Sequence, residues 1–213
     1  ARAKKAGVKM LGETPAKAGP KNYLTVFQDP DDNFIELIGP SKVNLEKPKE
    51  KKAGDGGLSF HDAAKTGKVD ALKAHLANGQ DIDAKHNDNV HALGLAALFG
   101  QTEALNFLIE KGAKLDVQTK DGGTALHGSS FLGRTEIVSS LLKGGADANI
   151  KNAQGITPLD ECSASWGASI EEKVDFLNDA IGVGCKAEAV REGRTKVLAL
   201  LKSHSAKPGA ELN

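Results

Sequence analysis

The sequence predicts a mainly α-helical solenoid of about four helix–turn–helix repeats, preceded by a small β segment. Three observations carry this expectation. Residues of one type recur every 33 positions, as in Gly67, Gly100 and Gly133, in Gly79, Gly112 and Gly145, and in Leu93, Leu126 and Leu159, with Phe60 one step earlier. Several series in one register mean a stack of small units, each too small to bury its apolar face alone. The chain is rich in Ala and Leu, whereas aromatics make up only 4% of its 213 residues, which suits close helix packing. Finally, helix starts and stops punctuate each period at fixed places.

Taken in order, residues 1 to about 42 read as strands. Ala3 to Met10 reads as the end of a helix running into a strand, Val8 to Leu11. Tyr23 to Asp29 and Phe34 to Ile38 are rich in β-branched and aromatic residues and flank the turn Asp29-Pro30-Asp31-Asp32-Asn33, so they predict a hairpin. Residues 43–56 (VNLEKPKEKKAGDG) are charged and poor in apolar side chains, as a flexible linker is. Four units follow, at 57–87, 88–120, 121–153 and 154–207, and residues 208–213 read as a loose tail.

One unit shows the logic. Asp121-Gly122-Gly123 is a turn, and Thr124 stands where an N-cap belongs. A short helix runs to about Leu132, Gly133 breaks it, and Thr135 offers a second N-cap. Ile137, Val138, Leu141 and Leu142 then form one apolar helix face, closed by Gly144-Gly145. In the last unit Gly133-Arg134-Thr135 recurs as Gly193-Arg194-Thr195, 60 residues on rather than 33. About 27 residues are therefore inserted between roughly Ala164 and Glu192. They contain a capping-box pattern, Ser169-Ile170-Glu171-Glu172, followed by Val174, Leu177 and Ile181 at helical spacing, and predict an extra helix ended by Gly182 and Gly184. The insert is expected to cap the C-terminal end of the array.

Thr124-Ala125-Leu126-His127, Thr157-Pro158-Leu159-Asp160 and Gly145-Ala146-Asp147-Ala148-Asn149 resemble the ankyrin repeat. The resemblance implies a protein-interaction module (a scaffold solenoid) and places His127 as a backbone-bonding turn residue. It also implies that the two positions before the mid-repeat glycine face the concave side. Here those are Leu98, Phe99, Phe131 and Leu132, an apolar stripe where polar residues are common. Contiguous exposed apolar surface marks binding sites, with aromatics as anchors. The turn tips, with Asn87, Asn89, Lys120, Asp121 and Gln154, add polar specificity on a fixed scaffold. The expected partner is a protein.

The stretch FQDPDDNFIELIGP, residues 27–40, resembles the C-terminal end of the vicinal oxygen chelate superfamily, the glyoxalase and extradiol dioxygenase relatives. The resemblance implies a partial βαβββ module and makes Glu36 a ligand of a divalent metal in a complete parent. No His precedes His61, and a lone carboxylate does not hold a catalytic ion, so no cofactor and no small-molecule substrate are expected on this chain alone. Two arrangements stay open at this level. The chain is the C-terminal part of a longer glyoxalase-like enzyme with an ankyrin tail, or the hairpin is a relic cap on the first repeat. The alanine start and the entry in mid-module favour a fragment.

Other chemistries find little support. Lys plus Arg and Asp plus Glu are 28 each, so no net field favours nucleic acid. No apolar run approaches the ~18 residues of a membrane span. Cys162 and Cys185 lack metal-type spacing, and a reducing, cytoplasmic setting is the expectation. Cys162 occupies a small-residue slot shared with Ala63, Ala96 and Ser129, so packing rather than nucleophilic chemistry explains it.

Overall fold

The computed structural model describes residues 9–11, 24–28, 34–38, 57–86 and 89–212. The chain divides into two units, Ala1–Glu50 and Lys51–Asn213. In the first, strands β1 (Lys9–Leu11), β2 (Leu24–Gln28) and β3 (Phe34–Ile38) pair antiparallel in the order β1-β2-β3. Glu36 lies in β3 and pairs in register with Val26.

The second unit is helical: α1 (Phe60–Lys65), α2 (Val69–Ala77), α3 (Ala92–Phe99), α4 (Thr102–Glu110), α5 (Ala125–Phe131), α6 (Thr135–Lys143), α7 (Pro158–Ser163), α8 (Ala168–Ile181) and α9 (Ala187–Ser203). Odd-numbered α1, α3, α5 and α7 stack as a layer of short helices, and α2, α4, α6 and α9 as a second. The periodic residues become buried columns that run through the stack. Phe60, Leu93, Leu126 and Leu159 are one column. Ala71, Ala104, Ile137 and Val197 are another, and the buried Leu108, Leu141 and Leu201 continue from His75. The slot of small residues, Ala63, Ala96, Ser129 and Cys162, is 5% exposed or less throughout, because neighbouring short helices approach there.

Side-chain bonds to backbone fix the register between units. The Asp83 carboxylate accepts from the Lys114 N–H at 2.9 Å, across 31 residues. Asp116 accepts from the Asp147 N–H at 3.0 Å, again across 31. Asn149 accepts from the Lys207 N–H at 2.8 Å, across 58. A second ladder agrees. Gln101 donates to the Lys65 carbonyl across 36 residues, and Arg194 donates to the Phe131 carbonyl across 63. Both ladders lengthen by the same 27 residues at the fourth unit, so the insertion leaves the repeat register intact.

The recurring triplet falls differently in the two units: Gly193 lies inside α9, which runs from Ala187 to Ser203. The structure corrects two expectations. The capping box at Ser169 does not form, because α8 starts at Ala168 with Gly167 as an N-cap that makes no side-chain bond. The C-terminal residues are tied down rather than loose. The Gly209 N–H donates to Asp160 at 2.8 Å, and Lys151 Nζ donates to the Leu212 carbonyl. They occupy the place a fifth unit's turn would take, with Ser205 at φ 59° where the other units have a glycine.

Gly193 has a different task. A Cβ there would overlap the Gly133 carbonyl oxygen, and a Cβ on Gly133 would stand 2.6 Å from the Arg194 nitrogen. Two backbones thus touch where α9 crosses the α5–α6 turn. A Gly193→Ala substitution should therefore cost about 1–3 kcal/mol of strain. Gly94→Ala in α3 should instead add ~0.5–1 kcal/mol, since its Cβ meets nothing within 4 Å and helical Ala is preferred over Gly. Urea denaturation of both variants checks this, and an unchanged midpoint for Gly193→Ala would discard the close-approach account.

Candidate binding surface

The last turn of each short helix presents the residues expected to form the apolar stripe. Leu98 and Phe99 are half-buried at the end of α3. Leu98 packs towards α5, with its Cδ1 3.8 Å from where a Gly128 Cβ would be. Phe99 carries the Lys65 ammonium 4.7 Å above its ring centroid, a cation–π contact at a partly solvated site. Leu95, one turn earlier, is also half-buried and packs on the core. These three apolar side chains keep a solvent-facing edge.

The stripe does not continue as expected into the third unit. Leu132 is only 3% exposed, because the chain leaves α5 there and α9 closes on the adjoining Gly133. Phe131 stays half-buried, as Leu98 and Phe99 are, but packs against a small cluster that the insertion supplies, Ile170, Val174 and Val190, along with Trp166 and Cys185. The Arg194 guanidinium sits 5.4 Å above the Phe131 ring. Of the four positions expected in the stripe, Leu132 is removed by burial, and Phe131 keeps partial exposure beside the insertion.

At the turn tips, Asn89, Lys120 and Gln154 are exposed. Asn89 takes a left-handed conformation, φ 60°. Asp121 is exposed too, but its carboxylate accepts from the Thr119 hydroxyl and from the Gly123 N–H at 3.4 Å, so it shapes its own turn. Its carbonyl accepts from the Ala153 N–H at 2.9 Å, which ties the third finger to the fourth. Gln154 is held at its backbone, whose N–H donates to Asn152 at 3.0 Å, and its side chain is left outward. Asn87 and the side chain of Glu36 lie outside the described residues.

Two arginines were not anticipated as organising residues. Arg134 donates to the Val183 carbonyl at 3.0 Å and to Cys185 Sγ at 3.2 Å. Arg194, 3% exposed, donates to the carbonyls of Phe131 (3.0 Å) and Ala164 (3.2 Å). Burial pulls both guanidinium groups below their ordinary value. The repeated Gly-Arg-Thr triplet was the available signal, though it does not say what the arginines reach.

The polar core is built for neutral histidine. His127 Nδ1 accepts from the Thr124 N–H at 3.1 Å, which leaves the proton on Nε2, 3.1 Å from the Ile156 carbonyl. Burial pulls the His127 and His91 imidazoles below the usual 6.5. In the fourth unit Asp160 takes the same slot. Burial raises its carboxyl, but donation from the Thr157 and Gly209 N–H groups outweighs that and lowers it overall. The buried Cys162 thiol is pushed up to about 11, chiefly by burial, which keeps it un-ionised and inert at neutral pH. Among the described residues no group of three His, Cys, Asp or Glu could hold a metal, and no helix is long and apolar enough to cross a membrane.

This architecture of stacked helix pairs, small-residue slots and projecting turns defines a helical-repeat protein. A family model of ankyrin repeats matches residues 60–152 in three copies, so that segment consists of ankyrin repeats. Such repeats are protein-interaction modules in general. The match stops before the fourth helix pair, α7 and α9, whose partners in sequence are split by the insertion. No curated protein matches the chain.

The histidine shifts set a pH dependence. Both folded-state values lie below the unfolded 6.5, so the unfolded chain takes up protons first as pH falls, and stability drops below about pH 6.5. Glu161 acts oppositely at lower pH, since burial raises its carboxyl. The urea midpoint is expected to be lower at pH 5.5 than at pH 7.5, and His127→Gln should lessen that difference. A midpoint equal at both pH values would sink this account.

Proposed function

We propose that this chain is a protein-interaction module that holds a partner protein against the Leu95–Leu98–Phe99 surface and the exposed turn tips Asn89, Lys120 and Gln154. The observation that carries this reading is the solvent-facing apolar edge at the end of α3, where Leu98 and Phe99 keep partial exposure beside the Lys65 cation. Half-buried aromatics rimmed by polar groups are the usual anchors of protein interfaces. Rigid short helices fix these anchors, and the turns supply polar contacts whose sequence varies from unit to unit. The test is a Leu98→Ser/Phe99→Ser variant, with thermal unfolding as a fold control. Capture of a partner from the source extract, quantified by mass spectrometry, should fall at least ten-fold while the melting temperature shifts by only a few degrees. Loss of fold, or unchanged capture, would overturn the reading.

A second reading rests on the segment FQDPDDNFIELIGP and its likeness to the vicinal oxygen chelate superfamily. Under it, the chain is part of a longer metal-dependent glyoxalase- or dioxygenase-like enzyme, the repeats serve targeting or assembly, and Glu36 is one ligand of the metal. A longer coding sequence bearing further βαβ modules should then yield a protein that retains a divalent metal by elemental analysis, and Glu36→Gln should release it. Retention by the Glu36→Gln protein would remove Glu36 from the ligand set.

A further inference from the structure

The insertion sits where the apolar stripe would otherwise continue. Its helix α8 buries only Ile170 and Val174, and these form a small cluster with Val190 that is separate from the main core. Phe131 packs on that cluster. Phe131 occupies the place that Lys65 and Leu98 hold in the first two units, at a 33-residue spacing; all three are half-exposed, and Phe131 differs in packing on the cluster that α8 supplies. Phe176 and Ile181 of α8 are each 41% exposed, so the helix is poorly buried for its 14 residues.

Much of its bonding is internal. Gly167 provides an N-cap without a side-chain bond, and Gly182 leaves the helix at φ 71°. Asn178 bonds the backbone of Cys185 at both its N–H (2.9 Å) and its carbonyl (2.6 Å), and Trp166 Nε1 donates to Glu171 at 2.7 Å, so the segment folds back on itself. Towards the array, Arg194 holds the Ala164 carbonyl, Arg134 holds the Val183 carbonyl and Cys185, and Lys173 of α8 acts electrostatically on the Glu161 carboxyl of α7. The two register ladders pass over the inserted residues without using them.

From this arrangement we infer that α8 is a built-in occupant of a second docking seat, formed by Phe131 and Val190, and that a partner's amphipathic helix binds there by displacing it. The inference rests on the interaction-module reading. The occupant is specified by α8 itself: an amphipathic helix with branched aliphatic residues at i and i+4, as Ile170 and Val174 are. Such a helix lays its apolar face into a groove. Because α8 is already tethered, its effective concentration holds the seat closed against weak competitors. The partner must therefore bind more tightly than an untethered copy of α8.

Two measurements test this. Hydrogen exchange on the unaltered full chain should show the α8 amides opening at least ten-fold faster than those of α5 and of residues 196–203, with little denaturant dependence, as in a sub-global opening. In the second, a fluorescein-labelled peptide of residues 165–184 is titrated into the full chain and into an Ile170→Ser/Val174→Ser variant. The variant should keep its helical signal and bind the peptide at least ten-fold more tightly, and adding Phe131→Ser should abolish that gain. Opening of α8 only together with α5, unfolding of the double variant, or equal peptide affinity would each overturn the inference. The Leu98→Ser/Phe99→Ser variant leaves this seat untouched, so failure here and failure of the α3 surface are read separately.

Discussion

A pair of helices a few turns long has one apolar face and nothing of its own to cover it, so each unit of this chain is stable only through the unit beside it. What makes that dependence specific is register. The buried columns lie level only if each unit is placed at the same height on its neighbour, and the bonds from Asp83, Asp116 and Asn149 to backbone amides of the next unit fix that height. A side-chain acceptor meeting a fixed N–H allows far less sliding than a smooth apolar contact. The Gln101 and Arg194 bonds to carbonyls at the ends of the preceding short helices constrain the other side of the stack. Insertions are tolerated where neither ladder passes, and the 27 inserted residues fall in such a place.

The same constraint explains a choice between two polar residues. The slot held by His127 faces the next finger, which offers a carbonyl, that of Ile156, and a neutral imidazole can donate to it while accepting from its own N-cap residue. At the end of the array, the C-terminal segment presents an amide, that of Gly209, and the slot holds Asp160, which can only accept. The polarity of the terminal contact is reversed, and the residue reverses with it. A histidine at position 160 would set Nε2–H against N–H unless it changed tautomer and gave up the bond to Thr157.

Much of this was legible along the chain, because a solenoid repeats its constraints: the helix pairs, the buried columns and the inert small-residue slot follow from period and side-chain size. The departures share one cause. Gly133-Arg134-Thr135 and Gly193-Arg194-Thr195 are identical triplets, yet one ends a helix and the other lies inside one. The residues before Gly193, from Ala187 onward, are strong helix formers, and the glycine is required by a backbone, that of Gly133, which is remote in sequence. A local reading registers that glycine is present, not whether it serves a turn or a close approach. The burial of Leu132 and the neighbours of the half-buried Phe131 escaped for a related reason. What they pack against is decided by α9 and the insertion, and no spacing within the third unit contains that information.

The position of the insertion also governs what kind of binder this array can be. In the first two units the positions before the mid-repeat glycine are open, and the surface grades from the cationic Lys65 to the apolar Leu98 and Phe99. From the third unit on, the chain supplies its own cover through α8 and the first half of α9, and clips it with two arginines drawn from the repeat positions that follow the mid-repeat glycine. An apolar edge continuous over two units would be a liability for aggregation as well as a site. Packing a tethered helix beside Phe131 limits the exposed apolar area. The acidic residues Glu172, Asp175 and Asp179 of α8 remain exposed on that cover, which keeps it soluble as an outer surface. The insertion therefore does more than follow the last repeat: it packs a helix where α5 ends, and the array's register ladders do not run through it.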